Sequence, residues 1–320
     1  MTSELSERLA RAPFLILDGG LATSLEARGC DLDDPLWSAK MLIEAPEQVR
    51  SVHRSFAEAG ADILTSASYQ ATIPGLLARG LSEHEARALL RRSVSLAREA
   101  ASPSDARAPS IAASIGSYGA YLADGSEYRG DYGLTRAALV EFHRPRLDAL
   151  QAAQPDVLAF ETIPSAREAE AIAELLDERE GPPAWISFSI RDEPAGATAG
   201  VRISEGVALD EAIAPLRRHP RVLALGVNCL APARVLPALE RLASVAPDLP
   251  LIAYPNSGEG WAARAWTGSA TEPAHFAALA RSWVEAGARI IGGCCRTGPA
   301  HIAALAELRD QLVSDELTQR

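Results

Sequence analysis

Eight short runs dominated by apolar residues recur along this 320-residue chain: Phe14–Leu17, Ile63–Leu64, Ser110–Ile115, Val157–Phe160, Ala184–Ile190, Val222–Val227, Leu251–Ala253 and Arg289–Ile291. They are continuously hydrophobic, not alternating, as a strand covered on both faces requires, and parallel sheets are covered in that way. The intervening segments have helical periodicity, as in Val49, Val52, Phe56 and Ala59 after the first run. Ser82 with Glu85, and Ser165 with Glu168, are S-x-x-E pairs that predict capping boxes at two helix starts. Glu58-Ala59-Gly60-Ala61-Asp62 leads into the second run and Glu285-Ala286-Gly287-Ala288-Arg289 into the eighth. In both, a helix is expected to end at a left-handed glycine and turn directly into a strand. Strand then helix, repeated with no Pro/Gly-rich linker, predicts a single (β/α)8 TIM barrel domain over residues 1–320. A doubly wound open sheet fits less well, because Asp18-Gly19-Gly20 after the first run lacks the G-x-G-x-x-G spacing.

Composition removes several function classes. A 48% hydrophobic content suffices for a large core, and a net charge of −11 with no basic run argues against a nucleic-acid surface. No stretch of 18 apolar residues exists, so no membrane span is expected. Met1–Arg11 is polar, carries Glu4 and Glu7, and does not read as a signal peptide. The expectation is a soluble cytoplasmic protein acting on small molecules. Four cysteines are too few for a disulfide framework at this length. In a reducing compartment, clustered cysteines point instead to metal or redox chemistry.

In such a barrel, chemistry gathers at the C-terminal ends of the strands. Those ends are Asp18; Ser66, Ser68 and Tyr69; Gly116; Glu161-Thr162; Asn228-Cys229; Tyr254-Pro255-Asn256; and Cys294-Cys295. All six tyrosines (Tyr69, Tyr118, Tyr121, Tyr128, Tyr132 and Tyr254) fall on this side. Four of them occupy Gly116–Gly133, a segment long enough to read as a lid. The alternative is a plain surface insertion, which would ordinarily lack aromatics.

Cys229 ends the sixth run, and Cys294 and Cys295 follow the eighth, so a closed barrel can bring them to one ion. Three thiolates suit Zn²⁺, and three protein ligands leave a corner of its tetrahedron open, as in catalytic zinc sites. Adjacent cysteines alone are a weak signal, because free cysteine is commonly a small buried hydrophobe. Gly292-Gly293 strengthens the metal reading by permitting close backbone approach. Cys30 reads as a free thiol without a role. His53, His84, His143, His219, His275 and His301 include no H-x-H or H-E-x-x-H, and read as surface or satisfied core residues.

Gly226-Val227-Asn228-Cys229 and Gly292-Gly293-Cys294-Cys295-Arg296-Thr297 resemble the two metal motifs of the homocysteine S-methyltransferases, a family that includes the betaine-homocysteine enzymes. The resemblance extends from Leu17-Asp18-Gly19-Gly20 through Tyr69-Gln70-Ala71-Thr72, Tyr118–Gly130 and Glu161-Thr162 to Tyr254-Pro255-Asn256-Ser257-Gly258. The tyrosine-rich loop and the Tyr254–Gly258 segment look most like the bacterial and plant subgroup that uses S-methylmethionine. Ser117, where that subgroup is expected to have proline, is a small departure that bears on loop stiffness.

The resemblance implies a (β/α)8 barrel with zinc on Cys229, Cys294 and Cys295 and the homocysteine sulfur as fourth ligand. It implies that Asp18 and Glu161 hold the substrate ammonium, that Gly19-Gly20 and Ser66 receive its carboxylate, that Tyr69 lines the site, and that Asn228 supports the metal. The expected reaction is methyl transfer from S-methylmethionine or S-adenosylmethionine to homocysteine, giving methionine. Tyr118, Tyr121, Trp261 and Trp266 are candidates to face the donor's positive charge. Rival readings are a methyltransferase using betaine or another donor and a non-catalytic zinc or redox thiol protein. With one further helix expected at Pro299–Val313 after the eighth run, folate or cobalamin domains are not expected. Without the longer C-terminal extension of the betaine enzymes, a monomer or small homo-oligomer is expected.

Overall fold

The computed structural model describes residues 4–101, 108–178, 180–191, 200–262 and 265–318. Within these, a strand overlaps each of the eight apolar runs, six of them extending one to three residues beyond the run: β1 Leu15–Ile16, β2 Ile63–Thr65, β3 Ser110–Gly116, β4 Val157–Ile163, β5 Ala184–Phe188, β6 Val222–Asn228, β7 Leu251–Tyr254 and β8 Ala288–Ile291. All pair in parallel, in the order β1-β8-β7-β6-β5-β4-β3-β2. A parallel bridge between Leu17 and Ile63 joins the two outer strands and closes the ring. This is the expected (β/α)8 barrel.

Side-chain alternation explains the unbroken hydrophobicity of the runs. Leu15, Leu17, Ile63, Ala112, Val157, Ala159, Trp185, Ala224, Ile252 and Ile290 form one buried cluster. Their chain neighbours Phe14, Ile16, Leu64, Ile111, Ala113, Leu158, Phe160, Ile186, Leu225 and Ile291 form another with the surrounding helices. The first fills the barrel and the second is the layer between strands and helices. Burying each such aliphatic side chain contributes about 1.5–3 kcal/mol. Leu5 and Leu9 of the helix Glu4–Arg11 join the interior cluster. The polar N-terminus is thus an amphipathic helix packed against the barrel interior.

Gly60 and Gly287 take φ of +101° and +103°, as the repeated helix-to-strand turn requires. The capping box at Ser82 forms, with the Ser82 amide donating to Glu85 Oε2 at 2.8 Å. The one expected at Ser165 does not. Glu168 is fully buried and serves other donors, and Glu205 Oε1 instead accepts from the Ala166 amide at the helix start. The fifth strand stops at Phe188, short of Ile190, which forms an antiparallel bridge with Ile203. A hairpin pairing Gly260–Ala262 with Ala265–Thr267 follows β7 and was not expected. His53 also departs from the sequence reading: it is fully buried in the helix Pro46–Glu58, and neither ring nitrogen has a hydrogen-bond partner. Cys30 packs against the core, away from the other cysteines. Among the described residues no helix is long and apolar enough to cross a membrane.

Candidate active site

Cys229 follows β6 in the left-handed region, φ +55°, and its amide donates to Tyr254 O at 3.1 Å. Cys294 and Cys295 follow β8 through Gly292-Gly293. A Cβ on Gly292 would lie 2.6 Å from Leu17 Cβ, and one on Gly293 would lie 2.0 Å from Thr297 Oγ1, so the backbone can pass only without side chains. The Cys294 amide donates to Pro255 O at 2.8 Å and the Ser257 amide to Cys295 O at 3.0 Å, which straps the pair to the loop after β7.

The three sulfurs converge. Cys229 Sγ is 3.8 Å from Cys295 Sγ, Cys295 Sγ is 4.0 Å from Cys294 Sγ, and all three lie within 4.8 Å of one another. A disulfide would need about 2.05 Å. Tetrahedral coordination with metal–sulfur bonds of about 2.3 Å places sulfurs about 3.8 Å apart, so the donor set fits a zinc ion. Hydrogen bonds from Cys294, Cys295 and the Tyr128 hydroxyl pull the Cys229 thiol well below its usual range. The same interaction with Cys229, reinforced by burial, pushes Cys294 and Cys295 well above it.

Asp18 and Glu161 both reach the C-terminal rim and are nearly fully buried. Asp18 accepts from Thr65 N and Thr65 Oγ1, both at 2.8 Å. Burial nevertheless raises its carboxyl to about 8, with the charge of Glu161 adding to the shift. Glu161 accepts from Ser114 Oγ and from the Tyr254 hydroxyl, and burial raises it to about 7. Two carboxyls lifted by burial, with the charge of Glu161 adding to Asp18 and that of Cys229 adding to Glu161, form a site that a cation would relieve. Ser66 Oγ accepts from the Ser114 amide at 3.0 Å and pairs with Ser68 Oγ at 2.7 Å, while Ser68 donates to Ser114 O at 2.7 Å. The Ser66 proton is therefore directed to Ser68. The Gly20 amide donates to Thr297 O at 2.9 Å, which ties the first rim loop to the cysteine loop.

Asn228 clamps the rim between Glu161 and Cys229. Its Oδ1 accepts from Thr162 N at 2.9 Å and Ser187 Oγ at 2.8 Å, and its Nδ2 donates to Thr162 Oγ1 at 2.7 Å. Thr162 sits at φ +58°, a conformation that a β-branched residue adopts only when its surroundings hold it there. Thr162 also hydrogen-bonds Tyr69, whose phenol burial pushes well above its usual range.

The tyrosine-rich segment is built on a helix, Tyr118–Leu122, and a single 3₁₀ turn, Ser126–Tyr128. Tyr118 and Tyr121 pack on each other and on Phe142, with Tyr132 against Tyr118. Beneath them, Glu168 accepts from Tyr118 N at 2.7 Å and Tyr132 Oη at 3.1 Å, and pairs with His143 Nε2 at 2.7 Å. Arg146 completes the network through Gly116 O and His143 Nδ1. The aromatic side chain delivered to the cysteines is Tyr128, with its hydroxyl 3.1 Å from Cys229 Sγ. Trp266 packs on the Arg296 guanidinium at 6.0 Å, and the Trp261 side chain lies outside the described residues. The sequence reading missed Thr65 and Ser114, and it named Thr162 and Tyr254 at the rim and Tyr128 in the lid without giving them a role. For Tyr128 a signal existed, since it lies within the motif that carries the resemblance.

Residues 15–309 match the family model of homocysteine S-methyltransferase. The chain belongs to the homocysteine S-methyltransferase family. It is 48% identical over 304 residues to homocysteine S-methyltransferase YbgG of Bacillus subtilis, covering 92% of this chain and 94% of that protein. Identity to the Escherichia coli homocysteine S-methyltransferase is also 48% over 304 residues, covering 93% and 96%. The metallated crystal form of the homocysteine methyltransferase MmuM from Escherichia coli superposes with a TM-score of 0.83 at 46% identity, covering 95% of this chain and 99% of that one.

Proposed function

We propose that this protein transfers a methyl group from a sulfonium donor, S-methylmethionine or S-adenosylmethionine, to the thiol of homocysteine, yielding methionine, at a zinc ion held by Cys229, Cys294 and Cys295. The observation that carries the metal assignment is the 3.8 Å and 4.0 Å spacing of the sulfurs, the edge length of a tetrahedral zinc–thiolate site. Zinc bound there would keep an incoming thiol deprotonated at neutral pH.

The chain's own groups orient the substrate. Asp18 and Glu161 take the homocysteine ammonium, whose charge offsets the burial of both carboxylates. The carboxylate end lies toward Gly19-Gly20 and Ser66, whose hydroxyl must turn from Ser68 to donate to it. Tyr69 and Tyr128 wall the site, and Asn228 holds Glu161 and Cys229 in register through Thr162. The homocysteine sulfur then forms its bond to the methyl carbon as the donor's C–S bond breaks, and that electron pair remains on a neutral thioether. No general acid is required, so positioning and thiolate generation carry the catalysis. The non-catalytic thiol reading gives no purpose to the paired buried carboxylates. We place the reaction in the reducing cytoplasm, which suits four free cysteines, with the chain acting as a monomer or small homo-oligomer.

The test is methionine formation from homocysteine with S-methylmethionine, S-adenosylmethionine and betaine run in parallel, alongside metal analysis of wild type and Cys295→Ala. The proposal expects turnover with a sulfonium donor, about one zinc per chain, and loss of both metal and turnover in the variant. A Cys295→Ala protein that stays active without metal refutes the ligand assignment. Turnover with betaine alone overturns the donor class.

A further inference from the structure

One carboxylate at the site has no place in homocysteine binding. Glu127 lies in the turn Ser126–Tyr128, beside the tyrosine that reaches Cys229. Its position is fixed by the fold. Ser189 Oγ at the end of β5 donates to Glu127 O at 2.7 Å, and Ser204 Oγ donates to Ser189 Oγ at 2.8 Å. Gly119 packs so closely that a Cβ there would stand 2.4 Å from the Glu127 nitrogen. The side chain's Oε2 is buried without a hydrogen-bond partner. The nearest cation in sequence, Arg129, makes its hydrogen bonds elsewhere, to Asp124 O at 3.0 Å, Asp124 Oδ2 at 3.2 Å and Ser126 Oγ at 2.8 Å, and acts on Glu127 only as a weaker distant charge. The charge of Cys229 bears on the Glu127 carboxyl, and the Glu127 charge bears on the Tyr69 hydroxyl more than those of Cys229 and Glu161 do. The buried carboxyl therefore lies near Cys229 and the Tyr69 hydroxyl.

We infer that Glu127 is the donor-selecting residue of this enzyme, its carboxylate receiving the sulfonium charge of the methyl donor above Cys229. The inference rests on the proposed sulfonium reaction and adds to it the group that recognises the donor. A carboxylate with one buried oxygen unsatisfied is poorly solvated and gains from a cation that cannot itself be neutralised by losing a proton. The sulfonium is such a cation. Methyl transfer removes that charge when the C–S electron pair returns to the donor sulfur, so attraction to Glu127 is lost with the reaction and the thioether product is released. Because the charge is strongest in the bound donor and fades in the transition state, Glu127 acts in donor capture and not in the chemical step.

Glu127→Gln and Glu127→Asp test the assignment, measured with donor and homocysteine varied separately and with zinc content and thermal melting recorded. In Glu127→Gln the donor KM is expected to rise at least about 10-fold, with kcat raised or unchanged but not lowered, and homocysteine KM, zinc and melting unchanged. The charge-retaining Glu127→Asp should recover part of the donor affinity. Methionine inhibition against the donor at saturating homocysteine is the decisive arm, since methionine has an ammonium and carboxylate but no sulfonium; its Ki should not move. A donor KM unchanged in Glu127→Gln overturns the inference. So does a methionine Ki weakened by the same factor, which would give Glu127 to an ammonium, or a rise in homocysteine KM or loss of zinc, which would make it part of the acceptor site. Wild-type protein inactive with every sulfonium donor would instead sink the reaction on which this reading stands.

Discussion

Replacing Asn228 with alanine should damage stability and the site together, through one residue that touches no substrate. Its amide makes three buried hydrogen bonds of 2.9, 2.8 and 2.7 Å, to Thr162 N, Ser187 Oγ and Thr162 Oγ1. Ser187 keeps its contact with the Tyr254 hydroxyl and Thr162 Oγ1 keeps Tyr69, so those two losses are worth about 1 kcal/mol each. The Thr162 amide loses the acceptor Oδ1 inside the protein, which costs about 1–3 kcal/mol. The total is about 3–5 kcal/mol. With an unfolding entropy of about 2.1 cal/mol/K per residue, a chain of this length loses roughly 0.7 kcal/mol of stability per degree at the midpoint, so Tm should fall by about 4–7 °C. Without the clamp, Thr162 relaxes from φ +58° and carries neighbouring Glu161 with it, and homocysteine KM should rise about 10-fold. Calorimetry, steady-state kinetics and metal analysis on one preparation would measure all three. An alanine variant within about 1 kcal/mol of wild type, with normal KM and metal content, would show that the three hydrogen bonds do not hold the rim.

Glu161→Gln should raise homocysteine KM about 10- to 100-fold with zinc retained, since it removes one charge facing the ammonium; an unchanged KM would assign Glu161 a purely structural role. Gly226→Ala should destabilise severely and impair metal retention, because the added Cβ would sit 1.7 Å from Ile252 O and force β6 from β7 just before Asn228 and Cys229; a variant that melts with wild type would contradict that packing. His53 predicts acid sensitivity. Burial depresses it from 6.5 to about 4, so the unfolded chain binds the extra proton between those values. The stability it contributes is complete above about pH 6.5 and falls as pH drops towards 4, by roughly 3 kcal/mol in all. His53→Leu should flatten that slope relative to wild type. The difference between the two profiles isolates this residue, because Asp18 and Glu161, with raised carboxyls, act with the opposite sign. Superimposable urea-denaturation profiles from pH 4 to 7 would refute it.

Much of this architecture is legible without coordinates, because its causes are local or periodic. Runs buried on both faces must be apolar throughout, left-handed helix ends need Gly60 and Gly287, and the Ser82–Glu85 box closes within one helical turn. Once eight strands are counted, barrel symmetry assigns their C-terminal ends to one rim, and Cys229, Cys294 and Cys295 follow as a cluster. The roles of Tyr128, Asn228 and Glu168 depend on partners far along the chain. Ser165–Glu168 has the same spacing as Ser82–Glu85, yet Glu168 turns inward to Tyr118, Tyr132 and His143, because a buried carboxylate gains more from three convergent donors than from one cap. His53 shows the converse, a polar ring whose surroundings offer no partner. The amino-acid order alone determined the eight barrel strands, the barrel and which three sulfurs cluster, since those depend on period and short spacing. Only the tertiary structure decided which side chains share a hydrogen bond or a charge across the rim, since those pairings depend on how distant strands register against one another.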